Sequence, residues 1–259
     1  MEDYLKAIYE LQREHGAPVG TSKVAEYLDV TSPTVTSMME KLADRGLIVR
    51  EKYKGVELTD EGQTVAIEII RHHRLLEAFL VEHLDYEWTD VHEEADVLEH
   101  HISEEFEQRI AERMGDPRVD PHGDPIPGET LEPPAEDDTA PLSAFDVGDR
   151  VVVARVRDRD EDELTYLSDA GIVPGRTLEL VEKAPIGMVT VVHEGGRQGL
   201  PEGVAETIRA RPVEREDGDR DGLDGDPDDG SADGAGDTAG HGDDAAHDSD
   251  RPAEVTGRE

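Results

Sequence analysis

The chain contains no cysteine. That removes disulfides, thiolate metal ligands and a cysteine nucleophile together. Aromatic residues make up only 4 % of 259 positions, which limits how large any one core can be. Lysine is scarce, with 6 against 20 arginines. No apolar run of 18 residues occurs, and residues 1–30 lack the basic-then-apolar order of a secretory leader. The sequence therefore reads as a soluble, cytoplasmic protein with no membrane partner.

Acid is what the chain has in excess: 64 Asp and Glu against 26 Lys and Arg, a formal net charge of −38. Residues 214–259 hold 17 acids and 4 arginines, a net of −13, which leaves −25 elsewhere. A tail alone does not account for the surplus. It suggests a proteome adapted to molar salt, where the Debye length falls to roughly 3 Å and exposed carboxylates repel one another little. The tail has almost no aliphatic residues and no aromatics, so it cannot bury enough apolar area to offset chain entropy and is expected to be disordered.

Residues 1–60 depart from this trend, with 8 basic and 11 acidic residues, a net of −3. Five of the six lysines fall in the first 54 positions. In "YLKAIYELQ", Leu5, Ile8, Tyr9 and Leu11 recur on one helical face. "TSKVAEYLDV" opens with Thr21 or Ser22 as N-cap, and "SPTVTSMMEKLADRGLI" with Ser32 as N-cap and Pro33 at the first helical position. "LIVREKYKGVELTDEG" reads as two short strands around Tyr53-Lys54-Gly55. Helix, turn, hydroxyl-rich helix and basic hairpin make a winged helix-turn-helix. Thr31, Ser32, Pro33, Thr34, Thr36 and Ser37 form the expected base-reading and phosphate-contacting start of the third helix. Arg50, Lys52 and Lys54 would meet phosphate from the hairpin. A small helical domain with no nucleic-acid role fits the helices, but not the short hydroxyls clustered on one helix.

Six of the 11 histidines crowd into residues 72–101. Residues 64–84 and 90–114 read as two amphipathic helices. On the second, Asp96, Glu99 and His100 stand at i, i+3 and i+4, with His92 one turn earlier; on the first, His73 and Glu77 are i, i+4 neighbours. Mixed carboxylate and imidazole ligands on facing helices suit a divalent first-row cation. A solvated polar face gives the same spacing, and the two readings stay open on spacing alone. "HEEAD" is no zincin motif, because Asp96 stands where its second histidine belongs.

After a Pro-rich linker at 133–142, residues 143–213 hold Val-rich alternating segments broken by Gly and Pro, a pattern for a small β-barrel. The expected organisation is an α+β chain: 1–62 winged helix-turn-helix, 63–132 helical domain, 133–142 linker, 143–213 barrel and 214–259 disordered tail.

"EDYLKAIYEL", "SPTVTSMMEKLADRGLI", "YKGVELTDEG", "RHHRLLEAFL", "HEEADVLEHHIS" and "DPHGDPIPG", in this order and spacing, resemble the diphtheria-toxin-repressor family of metal-dependent transcriptional repressors. The resemblance runs from residue 2 to about 129 and, more weakly, to 213. It implies a winged-helix domain, a helical dimerisation domain holding two metal ions per subunit, and a C-terminal Src-homology-3-like barrel of the FeoA type. By position it implies one site of Asp3, Asp96, Glu99 and His100 and a neighbouring site of His73, Glu77 and His92, with His72 and His101 as bystanders. In some long members two barrel side chains reach the second site; the matching positions are Asp160 and Glu163, although a solvated loop suits this acidic stretch equally. Asp3 and Asp96 are hard oxygen ligands, as in the manganese-responsive branch, so Mn2+ is expected ahead of Fe2+; Lys6, however, stands where that branch carries a second acid. The implied protein is a homodimer on double-stranded operator DNA that represses metal-uptake genes, with neither a small-molecule substrate nor enzymatic activity. A dinuclear metal hydrolase and a metal-independent winged-helix regulator are the alternatives.

Overall fold

The computed structural model describes residues 1–51, 54–135, 138–158 and 160–213. Lys52 and the acidic tail lie outside the described residues. The N-terminal part follows from its apolar periodicity. Leu5, Ile8, Tyr9 and Leu11 of α1 (Glu2–His15) are buried together with Val24 of α2 (Thr21–Tyr27) and Val35, Met39 and Leu42 of α3 (Ser32–Asp44). Strands β1 (Ile48–Glu51) and β2 (Gly55–Leu58) pair antiparallel, with Arg50 opposite Val56. Val19 adds a bridge to Val56 at the base of this wing.

Both caps lie earlier in the chain than the expected Thr21 or Ser22 and Ser32. Gly20 precedes α2 and Thr31 precedes α3, neither with a side-chain cap bond, so Ser32 and Pro33 form the first turn. Pro33 suits it because the first-turn amides have no intrahelical acceptor.

Helix α4 (Asp60–Leu84) starts three residues before the expected boundary at 63 and runs unbroken across it. Thr59 caps it, its hydroxyl accepting the Gly62 amide at 3.1 Å. The single helix expected over 90–114 is two: α5 (Val91–Leu98) and α6 (Glu104–Met114). The break has a local cause. Ser103 turns to accept the Phe106 amide at 3.3 Å, an N-cap worth about 1 kcal/mol. Leu76, Ala95 and Ile110 join the three helices in a small apolar cluster.

The C-terminal part is a six-stranded antiparallel sheet in the order β3-β8-β4-β5-β6-β7. Its strands are β3 (Ala140–Pro141), β4 (Arg150–Val156), β5 (Thr177–Ala184), β6 (Met188–His193), β7 (Gly196–Pro201) and β8 (Ile208–Pro212). The linker expected to reach residue 142 is therefore shorter, since Ala140 already pairs with Ala210. Register shifts in β4 and β5 bend the sheet around Val151, Val153, Leu178, Leu180, Val191 and Ile208. The stretch read as a possible loop folds as α7 (Glu161–Asp169), whose Leu164 and Leu167 enter this core; α8 (Glu202–Thr207) adds Ala205. Among the described residues no helix is long and apolar enough to cross a membrane.

Candidate metal centre

The start of α1, helix α5, the end of β4 and the loop at 120–122 converge on α4. Its buried face presents His73 and Glu77, one turn apart, with 2 % and 0 % of their surface exposed. Opposite them, α5 and the residues just after it supply His92, Asp96, Glu99 and His100. The start of α1 brings Asp3 and Lys6.

At the α1 end, Asp3 Oδ1 lies 2.7 Å from His100 Nε2, and that nitrogen is 3.6 Å from Glu99 Oε1. Asp3, Glu99 and His100 can offer donor atoms all within 4.8 Å of one another. Glu99 is buried although Asp3 is exposed, so the site opens to solvent on one side. The second oxygen of Glu99 faces inward: Oε2 is 2.6 Å from His73 Nδ1, with Asp96 Oδ1 at 3.2 Å from the same nitrogen. Lys6 Nζ donates to both Asp96 Oδ1 and Glu99 Oε2, each at 3.0 Å.

Deeper in, His73 Nε2 is 2.9 Å from Glu77 Oε1 and 3.0 Å from His92 Nδ1. His92 Nδ1 also lies 3.3 Å from Asp158 Oδ2. These four residues form a second group able to surround a cation, and Glu77, Asp120 and His122 form an adjoining one. Glu77 Oε2, His122 Nδ1 and Asp120 Oδ2 are buried and make no hydrogen bond among the described residues. Glu77 Oε2 and His122 Nδ1 stand 3.6 Å apart, beyond hydrogen-bond reach. Buried polar atoms left unpaired are costly. Oxygen and imidazole nitrogen atoms so placed fit a divalent first-row cation.

The electrostatics point the same way. Burial opposes the charged form of His122, but Glu77, Asp158 and Asp120 outweigh it and hold the pKa at about 9. Burial likewise opposes charge on His92, and Asp158 and Glu77 carry its pKa to about 9. For Glu77, burial would raise the pKa, yet His73, His122 and His92 hold it well below the ordinary carboxylate range. Glu77 and Asp158 stay ionised and recruit positive charge, whereas burial, with Glu77 and Asp124 nearby, pushes the Asp120 carboxyl well above the ordinary carboxylate range. A divalent ion would displace those imidazole protons, so its binding is coupled to pH.

Asp160 and Glu163 do not join this centre. Asp160 caps α7 by accepting the Glu163 amide at 3.0 Å, and the Glu163 carboxylate accepts the Thr207 hydroxyl. The barrel's contribution is Asp158, which leaves β4 before α7 begins and so points back at His92. Asp120 and His122 join the centre from the loop segment "DPHGDPIPG", where helical spacing gives no sign of them. Of the two bystander histidines, His72 pairs with Glu107 at 3.1 Å, and His101 contacts the Val97 carbonyl at 3.0 Å.

At the winged end, Thr31, Ser32, Pro33, Thr34 and Ser37 are exposed and Thr36 is half-buried. Thr36 bonds back to the Ser32 carbonyl at 3.0 Å, and the Thr31 and Thr34 hydroxyls lie 2.8 Å apart. Arg50 and Lys54 are exposed on the wing, with Arg50 3.5 Å from Glu40.

A winged helix-turn-helix joined through a carboxylate–imidazole centre to a small β-sheet domain defines a class of metal-responsive DNA-binding proteins. Residues 1–56 match the "Iron dependent repressor, N-terminal DNA binding domain", 59–128 the "Iron dependent repressor, metal binding and dimerisation domain", and 140–212 the "FeoA domain". The iron-dependent repressor IdeR of Mycobacterium tuberculosis is 35 % identical over 224 residues, covering 82 % of this chain and 96 % of that one. The diphtheria toxin repressor of Corynebacterium diphtheriae is 31 % identical over 217 residues, covering 80 % and 95 %. A solved manganese-dependent transcriptional repressor in complex with manganese superposes with a TM-score of 0.76 at 36 % identity, covering 82 % and 99 %. ScaR with bound Cd2+ superposes at 0.72 and 34 %, also covering 82 % and 99 %. The chain belongs to the diphtheria-toxin-repressor family of metal-dependent transcriptional repressors.

Proposed function

We propose that this protein is a cytoplasmic repressor of metal-uptake genes that reads operator DNA as a homodimer when loaded with two divalent ions per chain, Mn2+ ahead of Fe2+. The observation that carries the reading is the contact between Asp3 of α1 and His100 beyond α5, 2.7 Å apart with Glu99 beside them. It joins the DNA-reading part directly to the metal-holding helices.

Asp3, Asp96, Glu99 and His100 would hold the first ion; His73, Glu77 and His92, with Asp158, Asp120 and His122, would hold the second. Bound there, a divalent ion supplies the positive charge these carboxylates lack. Asp3, drawn to the same centre as Glu99 and His100, then fixes α1 relative to α4 and α5. Because α1 packs on α2, α3 and β2 through the core around Leu5 and Ile8, it carries the recognition helix with it. In a dimer this sets the spacing of two recognition helices, and linkage requires operator DNA to tighten metal binding in return. Val97 and Phe106, 62 % and 45 % exposed on α5 and α6, give apolar surface for the dimer contact.

Mn2+ is favoured because every donor is a carboxylate oxygen or an imidazole nitrogen, with no sulfur. The related proteins carry both names, iron in IdeR and manganese in the solved repressors. Titrating operator binding anaerobically with Mn2+ and Fe2+, for the wild type and Asp3→Ala, tests the proposal. Metal-dependent binding abolished in Asp3→Ala supports it; metal-independent binding by the wild type overturns it. A dinuclear hydrolase would use the same ligands but leaves the exposed hydroxyls of α3 without a role.

A further inference from the structure

Glu40 sits where a surface that approaches phosphates is expected to exclude acid. It is exposed on α3, three residues after Ser37 and seven after Pro33, so the three share one stripe. That stripe lies opposite Val35, Met39 and Leu42, which are fully buried. It is therefore the side of α3 that meets a groove. The Glu40 side chain is 62 % exposed, and its Oε1 lies 3.5 Å from Nη1 of Arg50 on β1. Arg50 shares a strand face with Ile48, which is buried in one core with Val35 and Met39. Its side chain thus turns back toward α3 and not out along the wing.

We infer that Glu40 is a base-reading residue that accepts a hydrogen bond from the N4 amino group of one cytosine in each half-site, with Arg50 as the residue that positions and neutralises it. The inference rests on the operator-binding reading above and adds one specified base pair to it.

The choice of base follows from donors and acceptors. A carboxylate only accepts. In the major groove guanine and thymine offer it further acceptors, and adenine sets the N7 acceptor beside its amino group. Cytosine alone offers a donor with no acceptor next to it. The choice of partner follows from charge. A bare carboxylate would be repelled by the phosphates that flank the groove, and Arg50 lets the pair approach them without net charge. The contact uses one carboxylate oxygen and one guanidinium nitrogen, so the rest of each group can face the duplex. An ion pair this exposed contributes little to folding, which leaves the bound duplex as the place where it matters.

The test is selection from a duplex pool randomised across its centre, using the Mn2+-loaded full chain. Fluorescence anisotropy then follows on the enriched duplex and its single-base-pair variants. The wild type should specify C·G at one position of each half-site, and replacing that pair in one half-site should weaken binding about 10-fold. Glu40→Gln should move the preference at that position to A·T, because an amide pairs with adenine N6 and N7. Glu40→Ala should leave the position unspecified and bind random duplexes more tightly. Asp44→Ala, at the exposed end of the same stripe, controls for charge alone. It should bind random duplexes more tightly yet keep every wild-type base preference. The affinity lost in Arg50→Ala should shrink in the Glu40→Ala background, whereas an arginine that only meets phosphate costs the same in both. Unchanged base preferences in both Glu40 variants, with the wild type enriching a defined sequence, overturn the role of Glu40. An Arg50→Ala loss that is equal in both backgrounds overturns the role of Arg50. A wild type that enriches no sequence overturns the operator-binding reading itself.

Discussion

His122 Nε2 lies 2.6 Å from the carbonyl oxygen of Trp88. A carbonyl only accepts, so this nitrogen carries the proton and the ring is fixed with Nδ1 directed at Glu77 and Asp120. Trp88 in turn packs against the barrel core, and its indole donates to Ser168 Oγ at 3.3 Å. Docking of the barrel and orientation of a candidate ligand are thus one structural event. Replacing His122 by Ala should weaken the second Mn2+ binding step at least 10-fold and leave the first unchanged. Two-site calorimetric titration checks this, and equal weakening of both steps would contradict the division into two sites.

Asp158 and Asp160 are two residues apart but do different work. Asp158 is held ionised by His92 and His122 against the cost of burial, whereas Asp160 is an exposed helix cap. Asp158→Ala should lower affinity at the second site by about 10- to 100-fold. Asp160→Ala should leave metal binding intact and cost the chain about 1 kcal/mol through the lost cap. Metal titration and denaturant unfolding of the two variants separate these outcomes.

Beside the metal centre, Glu107 accepts from Arg71 and pairs with His72, with 11 % of its side chain exposed. Glu107→Gln leaves a buried guanidinium without its counter-charge and should destabilise the fold by about 3 kcal/mol, read as a lower denaturant midpoint. The pH dependence follows from both partners. Burial works against charge on each, yet Glu107 raises the pKa of His72 above 6.5, and His72 and Arg71 lower that of Glu107 below 4.5. The raised histidine contributes fully below pH 6.5 and loses its contribution as pH climbs through the folded value. The lowered glutamate contributes fully above pH 4.5 and loses its contribution as pH falls through its own folded value. The pair therefore stabilises most between pH 4.5 and 6.5, and the difference between wild type and variant should be largest in that window.

Much of this architecture was legible because it repeats. Helical spacing put Leu5, Ile8, Tyr9 and Leu11 in the core and set His73 with Glu77, and Asp96 with Glu99 and His100, on shared faces. Asp120, His122 and Asp158 come from a loop and a strand end, where spacing carries no periodic signal. They converge through tertiary contacts: the Val156 amide donates to the His122 carbonyl at 2.9 Å. A Cβ on Gly123, at φ +90°, would lie 2.1 Å from the Ala154 carbonyl oxygen. Only a glycine permits that approach of loop to strand. The split between α5 and α6 went unseen for a different reason: the Ser103 cap interrupts a polar pattern that otherwise continues.

On the winged part, Thr34 and Ser37 are exposed on α3 while Val35 and Met39 of the same helix are fully buried. Both side chains face outward and can meet a groove without disturbing the core. Thr34→Ala and Ser37→Ala should each weaken binding to a specific operator by about 1–3 kcal/mol and leave random-sequence DNA nearly unaffected. Lys54, exposed on the wing, should behave differently, because a phosphate contact carries no sequence information. Lys54→Ala should weaken all duplexes about equally and reduce the slope of log affinity against log salt by about 1. Fluorescence anisotropy on specific and random duplexes at several salt concentrations measures both quantities at saturating Mn2+. If all three variants lost affinity uniformly across sequences, α3 would be contacting the backbone and the base-reading surface would lie elsewhere.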